Sequence, residues 1–295
     1  MKRLLSLVLL GAVTASAQPS ATMRPELLAS VEFNASSSSR EDIARGPSVL
    51  GSVAVKQAGF SVSARRSWSD STTLVYGVAF ESHDLEASSP TLPLPEDLTE
   101  VSLNLGLQHR FDQRWGAAVY LRPGFYGDLE EGLNGDSFNA PLLLMGTYAQ
   151  SKELAWSFGL NVNAFSDNPV IPILGVRWQF APDWLFSVGF PRTGFTYRVN
   201  DRLSLRASAS FSGGSFRITR DIGSPAAGIA RLTNTFVDFR EVRAGLGLDW
   251  KLTDTAELGL DVGAVTDRKF DYFDKGYRLD GDGGTFVALA IKGSF

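Results

Sequence analysis

The chain has 295 residues, 28 of them basic and 32 acidic, a formal net charge of −4, 44% hydrophobic residues and no cysteine. The acidic balance excludes a nucleic-acid surface built on basic density, and the lack of cysteine excludes a disulfide framework. Beyond the first residues no apolar run approaches the ~20 residues of a membrane helix, so any residence in a bilayer has to come from strands.

The first segment, MKRLLSLVLLGAVTASA, has a basic start at Lys2 and Arg3, an apolar run from Leu4 to Val13, and small residues at Ala15 and Ala17. This is the layout of a cleavable export signal over residues 1–17. Cleavage leaves 26 basic residues against 32 acidic ones in a mature chain over 18–295, read as one domain.

Alternation with a period of two then recurs along almost the whole chain. Leu74, Tyr76, Val78 and Phe80 share one parity; so do Leu103, Leu105 and Leu107, then Leu154, Trp156, Phe158 and Leu160. The last third repeats the pattern with Leu203 and Leu205, with Leu246, Leu248 and Trp250, and with Leu258, Leu260 and Val262. The residues between them are Ser, Asn, Gly, Thr, Gln and Arg, and each segment is about as long as a membrane-crossing strand needs to be. No amphipathic helix is expected after the signal.

Two kinds of connection alternate. SWSDST (67–72), FDQRW (111–115), QSKE (150–153), FAPDW (180–184), VNDRL (199–203) and KLTDT (251–255) are compact polar hairpin turns. Between them lie mostly longer segments, 36–48, 86–97, 127–137, 166–169, 221–233 and 267–283, expected as loops. Short connections on one side and long ones on the other are the pattern of an antiparallel up-and-down barrel in a membrane. The strand count is 14. It falls to 12 if the short hairpin over 184–199 folds into the lumen or stays at the periplasmic rim.

The chain closes on TFVALAIKGSF, with Phe295, Ile291, Leu289 and Val287 on one parity. Together with the signal and the aromatic-flanked turns FDQRW and FAPDW, this resembles the bacterial outer-membrane β-barrel proteins. In that class the last strand ending in Phe is the tag read by the barrel-assembly machinery, which gives Phe295, Ile291 and Leu289 the role of assembly signal. Gly293 departs from the bulkier residue often found at its place. The resemblance implies an outer-membrane location, with lipid and lipopolysaccharide as surroundings. More narrowly, SVGFPRTGFTYRVNDRLSL (187–205) is similar to a segment of uncharacterised, porin-like barrel families, and it supplies no catalytic residue to carry over.

The chemistry-bearing residues are few. His109 shares the parity of Leu105 and Leu107 and is expected at the periplasmic interface; His83, followed by Asp84, is expected as a solvated residue at the outer rim. Neither sits in a His-x-Ser arrangement, so no catalytic residue is assigned, and no cofactor is expected. Asp280 and Asp282 with their glycines resemble half of a calcium loop, but the Glu that should end such a loop is missing, so no metal site is assigned and 267–284, like GDLEEGLNGD (127–136), reads as an acidic extracellular loop. Trp68, Trp115, Trp184 and Trp250 flank the short turns and form an expected interfacial girdle, with Phe125, Tyr126, Tyr272 and Phe273 as its outer counterpart. Arg177, Arg198, Arg206, Arg217, Arg240, Arg243, Asp249, Asp261 and Lys292 are the expected pore-lining residues, with Glu100 beside them.

With 12 to 14 strands, the interior exceeds what side chains alone fill. The first expectation is therefore a passive pore for small solutes. The alternative is a barrel plugged by the 184–199 hairpin that contacts lipopolysaccharide or a partner through acidic loops, and a third is an outer-membrane hydrolase using His83 or His109. No nucleic-acid partner is expected, and the chain length favours a monomer.

Overall fold

The computed structural model describes residues 27–129, 132–189 and 192–295, so the signal segment lies outside the described residues. Among them, fourteen wall strands run antiparallel to their neighbours. They are β1 (Leu27–Arg45), β2 (Ser48–Ser67), β3 (Thr72–Ala87), β4 (Asp97–Arg110), β5 (Trp115–Leu121 and Gly124–Gly127), β6 (Phe138–Asn139 and Leu142–Ala149) and β7 (Leu154–Val162). The second half adds β8 (Val170–Ala181), β9 (Trp184–Val188), β10 (Arg192–Arg198), β11 (Leu203–Ile218), β12 (Thr235–Lys251), β13 (Ala256–Tyr272) and β14 (Tyr277–Gly281 and Gly284–Ser294). Pro123 and Pro141, which have no N–H to give a ladder, split β5 and β6. Their carbonyls still accept, from Leu103 and Arg122 at 2.9 Å each, so the wall stays continuous.

The barrel closes between β14 and β1, where Ile291 pairs with Phe33 and Leu289 with Ala35. Phe295 and Ala29 exchange both backbone hydrogen bonds, at 2.8 and 3.0 Å, so the last residue is tied into the wall. The short turns are held by side-chain caps. Asp112 accepts from the N–H groups of Arg114 and Trp115 at 2.7 and 2.8 Å, and these two bonds hold its carboxyl below the usual range. Asn200 does the same for Arg202 and Leu203 at 2.9 Å.

One parity faces lipid and the other the lumen, and the chemistry of both changes with height. On β12 the outward residues Trp250, Leu248, Leu246, Ala244 and Val242 are followed by Arg240 and Asp238. The inward ones run Asp249, Gly247, Gly245, Arg243 and Glu241, then Phe239 and Val237. On β2, outward Val62, Phe60 and Ala58 give way to Lys56, while inward Ser63, Ser61, Gly59 and Gln57 give way to Val55 and Val53. The lower half is thus apolar outside and polar inside over about nine residues per strand, the height of a bilayer core. The upper half is charged outside and apolar inside.

That inner apolar cluster includes Ile43, Val53, Leu98, Val237, Phe239 and Phe270, each 2% exposed or less. Two connections fold down to complete it: Leu92 and Leu94 from the β3–β4 segment, and Ile222 and Leu232 from the β11–β12 segment. Tyr272 donates its hydroxyl hydrogen to the Pro93 carbonyl at 2.6 Å. The cap is narrower than the barrel below, because β6 to β10 stop short and β5 reaches β11 directly, with Gly127 opposite Arg217 in a parallel bridge. Strand irregularities mark the change of width: bulges in β1 between Ser38 and Glu41 and in β13 at Thr266, opposite Val242 and Arg243, and Gly213 on β11 at φ +116°, where a Cβ would lie 2.2 Å from the Phe239 carbonyl oxygen.

Several expectations change. The hairpin over 184–199 is part of the wall, with Val188 paired to Val176 and Phe195 to Ala207, so the count is 14 and the hairpin plugs nothing. The segments 36–48 and 267–283, expected as loops, are mostly strand that continues above the bilayer, where alternation persists but the outward residues are charged. Tyr126 and Tyr272 are buried inside rather than forming an outer girdle. Trp68, Trp115, Trp184 and Trp250 do face outward at the short-turn end, joined by Trp156 and Trp178.

Two substitutions test the inversion. Leu246→Arg, on an outward residue 64% exposed, should cost ~2–4 kcal/mol because it puts a charge against lipid. Phe239→Ala should cost ~3–5 kcal/mol through loss of cap packing. Urea unfolding of the barrel refolded into vesicles reads both, and a stability left unchanged by either substitution would contradict the assignment.

Candidate functional site: the barrel lumen

In the lower lumen Arg206 of β11 reaches across β12 to two carboxylates. Its Nη2 donates to both oxygens of Asp261 at 3.0 Å, and its Nη1 pairs with Asp249. Arg192 donates to Asp261 Oδ2 at 3.3 Å. The cluster needs Gly247 between its members, since a Cβ there would lie 2.1 Å from Asp261 Oδ1. Around it the lining is mostly small and polar, with Ser208, Gly245 and Gly263 at neighbouring register positions.

Higher up, side chains from opposite walls meet. Glu241 of β12 accepts from Arg268 Nε at 2.8 Å, from Arg243 Nη2 at 2.7 Å and from the Ser38 hydroxyl of β1 at 3.0 Å. Arg243 also donates to Ser36 at 3.0 Å, and Arg268 to the Val53 carbonyl of β2 at 2.8 Å. Ser212 of β11 donates to Gln57 Oε1 of β2 at 3.0 Å, although β12, β13, β14 and β1 separate those strands along the wall. Gln57 passes the chain on to Glu81 at 3.0 Å. On the far side Glu100 pairs with Arg122 and accepts from Ser102 at 2.6 Å. This polar belt crosses the lumen directly beneath the apolar cap. Arg268 and Glu241 have no side-chain exposure, so each charge is stabilised by its partners rather than by water.

The expected lining residues divide by parity. Arg177, Arg198, Arg206, Arg243, Asp249, Asp261 and Lys292 lie on the lumen face, Arg177 and Lys292 near the short-turn end. Glu100 is inward as well. Arg217 and Arg240 are not on that face, because the alternation that points Phe216 and Phe239 inward turns both outward. Arg217 lies 4.6 Å over the Phe236 ring and donates to Asn234, and Arg240 pairs with Asp267 at 3.1 Å. Both stand above the lipid band, Arg217 partly exposed and Arg240 8% exposed beside its Asp267 partner.

His83 is also corrected. It is 1% exposed rather than solvated at a rim, with its Nε2 3.0 Å from Glu81 Oε1 and its ring edge-on to Phe216 and Phe239. His109 lies at the short-turn end, its Nδ1 2.9 Å from the Thr72 hydroxyl and its ring edge-on to Phe111. Asp280 is engaged by Arg278 at 2.7 Å, and among the described residues no three His, Asp or Glu side chains converge as a metal site would require. Residues 130 and 131 of the acidic segment lie outside the described residues. Phe295, Ile291 and Leu289 are exposed on the outer face of the closing strand.

The belt and the lower cluster should differ in how much stability they hold. Glu241→Ala leaves two buried guanidinium groups without their shared partner and should cost ~3–5 kcal/mol. Asp249→Asn, in the wetter lower lumen, should cost ~1 kcal/mol or less. Urea midpoints in vesicles separate the two.

A family model described as a domain of unknown function (DUF6268) matches residues 66–278, and the chain belongs to that family. No curated protein matches. Among solved structures, the COG4313 outer membrane channel from Pseudomonas putida F1 aligns over 93% of this chain and 97% of its own, at 12% identity and a TM-score of 0.51. OprB from Pseudomonas putida aligns over 92% and 94%, at 9% identity and a TM-score of 0.42. A mutant of the monoaromatic hydrocarbon channel TodX aligns over 92% and 91%, at 8% identity and a TM-score of 0.42. At these identities the likeness is one of fold.

Proposed function

We propose that this member of the DUF6268 family is an integral outer-membrane protein that lets small solutes through its barrel, and that the conformation described is its closed state. The observation that carries the reading is the lining of the lipid-embedded half. Fourteen strands enclose more space than side chains fill, and their inner faces are small, polar and charged, centred on Arg206, Asp249 and Asp261. A barrel with a purely structural role has no need of charged groups facing that space. The charged groups would set the field that a permeating ion meets. In this reading the protein is not an enzyme, works as a monomer, takes no cofactor, and has lipid and lipopolysaccharide as its neighbours, with Phe295, Ile291 and Leu289 read by the assembly machinery.

A second reading is favoured by the belt and cap. Bonds between opposite walls and a dry outer core suit a permanently sealed barrel that contacts lipopolysaccharide or a partner through outward acidic residues such as Asp267, Asp271 and Asp280. Planar-bilayer recording of the refolded mature chain in potassium chloride decides between them. The passage reading expects discrete, infrequent current steps. Asp261→Asn, which leaves Arg192 and Arg206 less neutralised, should shift the reversal potential of those steps toward anion selectivity. Silence over a wide range of voltage would favour the sealed barrel.

A further inference from the structure

If the barrel is a passage, something must move, and the wall has a place where strand pairing lapses. Among the described residues, the last of β10 to pair with β11 is Arg192, opposite Ser210, and the next residue of β11 met by a strand on that side is Arg217. Among the described residues no strand pairs with that edge from Phe211 to Phe216. Above, the gap is sealed by Asp128. Its N–H donates to the Arg217 carbonyl at 3.2 Å, and its carboxylate accepts from the Thr219 N–H and hydroxyl and the Arg220 N–H at 2.9 to 3.2 Å.

The gap is covered by residues 163–169, between β7 and β8. Asn163 accepts from Asn139 Nδ2 at 2.7 Å, and the Ser166 hydroxyl and Asp167 N–H donate to one oxygen of Asp238 at 3.2 and 3.1 Å. The Phe165 ring lies 4.9 Å from that of Phe236. Behind the segment is a cavity of about 10 Å³, room for about one water molecule. Its lining joins both sides of the wall: Glu81 and Glu100 from the belt, Asn163 from the segment, and Gly213 to Phe216 from the unpaired edge.

We propose that residues 163–169 are the gate of the passage, and that their release from Asp238 and Phe236 opens the lumen sideways through this gap while the apolar cap stays closed. The inference rests on the passage reading and names its moving part. Release gives up the packing of one ring, Phe165, which is 8% exposed and part of the apolar cluster, while the segment's hydrogen bonds can be exchanged for bonds to water at little net cost. The cap's buried apolar contacts cannot. The polar side chains that line the cavity between belt and gap include Glu81, Glu100, Asn163 and Ser215, so the route suits small hydrophilic solutes.

The natural chain has no cysteine, so a Ser166→Cys, Asp238→Cys pair gives a single possible disulfide. In planar bilayers the oxidised pair, its bond verified by mass spectrometry, should lose at least tenfold in open probability and regain it on reduction. Asp238→Asn, a conservative change that weakens the latch, should open several-fold more often than wild type with the same unit conductance. Oxidised and reduced pairs that conduct alike would overturn the gate and leave the passage standing. So would an Asp238→Asn protein that opens no more often than wild type. Currents absent from wild type, reduced pair and Asp238→Asn together would overturn the passage reading and the gate with it.

Discussion

Everything in this barrel depends on the wall having a different solvent on each side at each height. In the lower half lipid is outside and water inside, so apolar side chains point out and Ser, Gly, Arg and Asp point in. Above the bilayer, water is outside and the interior is a packed apolar core, so the same strands reverse the chemistry of their two faces, β2 and β12 without changing parity, β1 and β13 with a change of parity at a bulge. β2 does this between Ala58 and Val55, and β12 between Val242 and Phe239. No residue is inserted to turn β2 or β12 over, because alternation is a property of the extended backbone and only the assignment of side chains to it changes.

The reversal dictates the change in width. A dry core must be filled at close-packed density, and a ring of about eight strands is what side chains can fill. Fourteen strands are too many. The cap therefore keeps β1 to β5 and β11 to β14, nine strands among those described, and β6 to β10 end below it. Dropping an odd number of strands brings together two that run the same way, and the bridge between Gly127 and Arg217 is accordingly parallel. The Asp128 carboxylate, gathering three donors from Thr219 and Arg220, closes a seam that no ladder could close. The belt belongs to the same boundary. Charges such as Glu241, Arg243 and Arg268 sit where a wet lumen meets a dry cap, and their mutual pairing lets them lie there without water.

Much of the lower half was legible in the sequence, since the bilayer imposes a strict apolar parity and tight Asp- and Asn-rich turns, and the tryptophans of the turns mark one interface. The upper half was not, because its outward residues are those of a soluble surface. Residues 36–48 contain SSSREDIAR, which reads as a loop, yet Ile43 is a fully buried inward residue of a continuous strand. The signal was present in 268–279, where Phe270 and Tyr272, then Tyr277 and Leu279, keep a period of two among charges. Arg217 and Arg240 are expected in the lumen together with the other arginines. Counting by twos from Leu205 and Leu246 puts both outside, which is acceptable only above the bilayer. The belt was illegible for another reason: contacts such as Ser212 with Gln57 join strands far apart in the chain, and no periodicity encodes which inward residues meet.

The two ends of the barrel also differ in what they can do. At the lower end the hairpins are short, capped by side chains such as Asp112 and Asn200, and most are flanked by tryptophans held at the interface. Little can move there without breaking wall pairing. At the upper end the wall is held partly by side-chain seams, and β9 and β10, the shortest unbroken strands among the described residues, stand beside the unpaired edge of β11. A conformational change that leaves the lipid-facing ladder intact must therefore be confined to the outer end. Within that end, the apolar cap is cohesive because water cannot substitute for its contacts, whereas the segment over the β11 edge is held in part by groups that water satisfies as well. The asymmetry follows from the same difference of solvent that sets the faces of the strands.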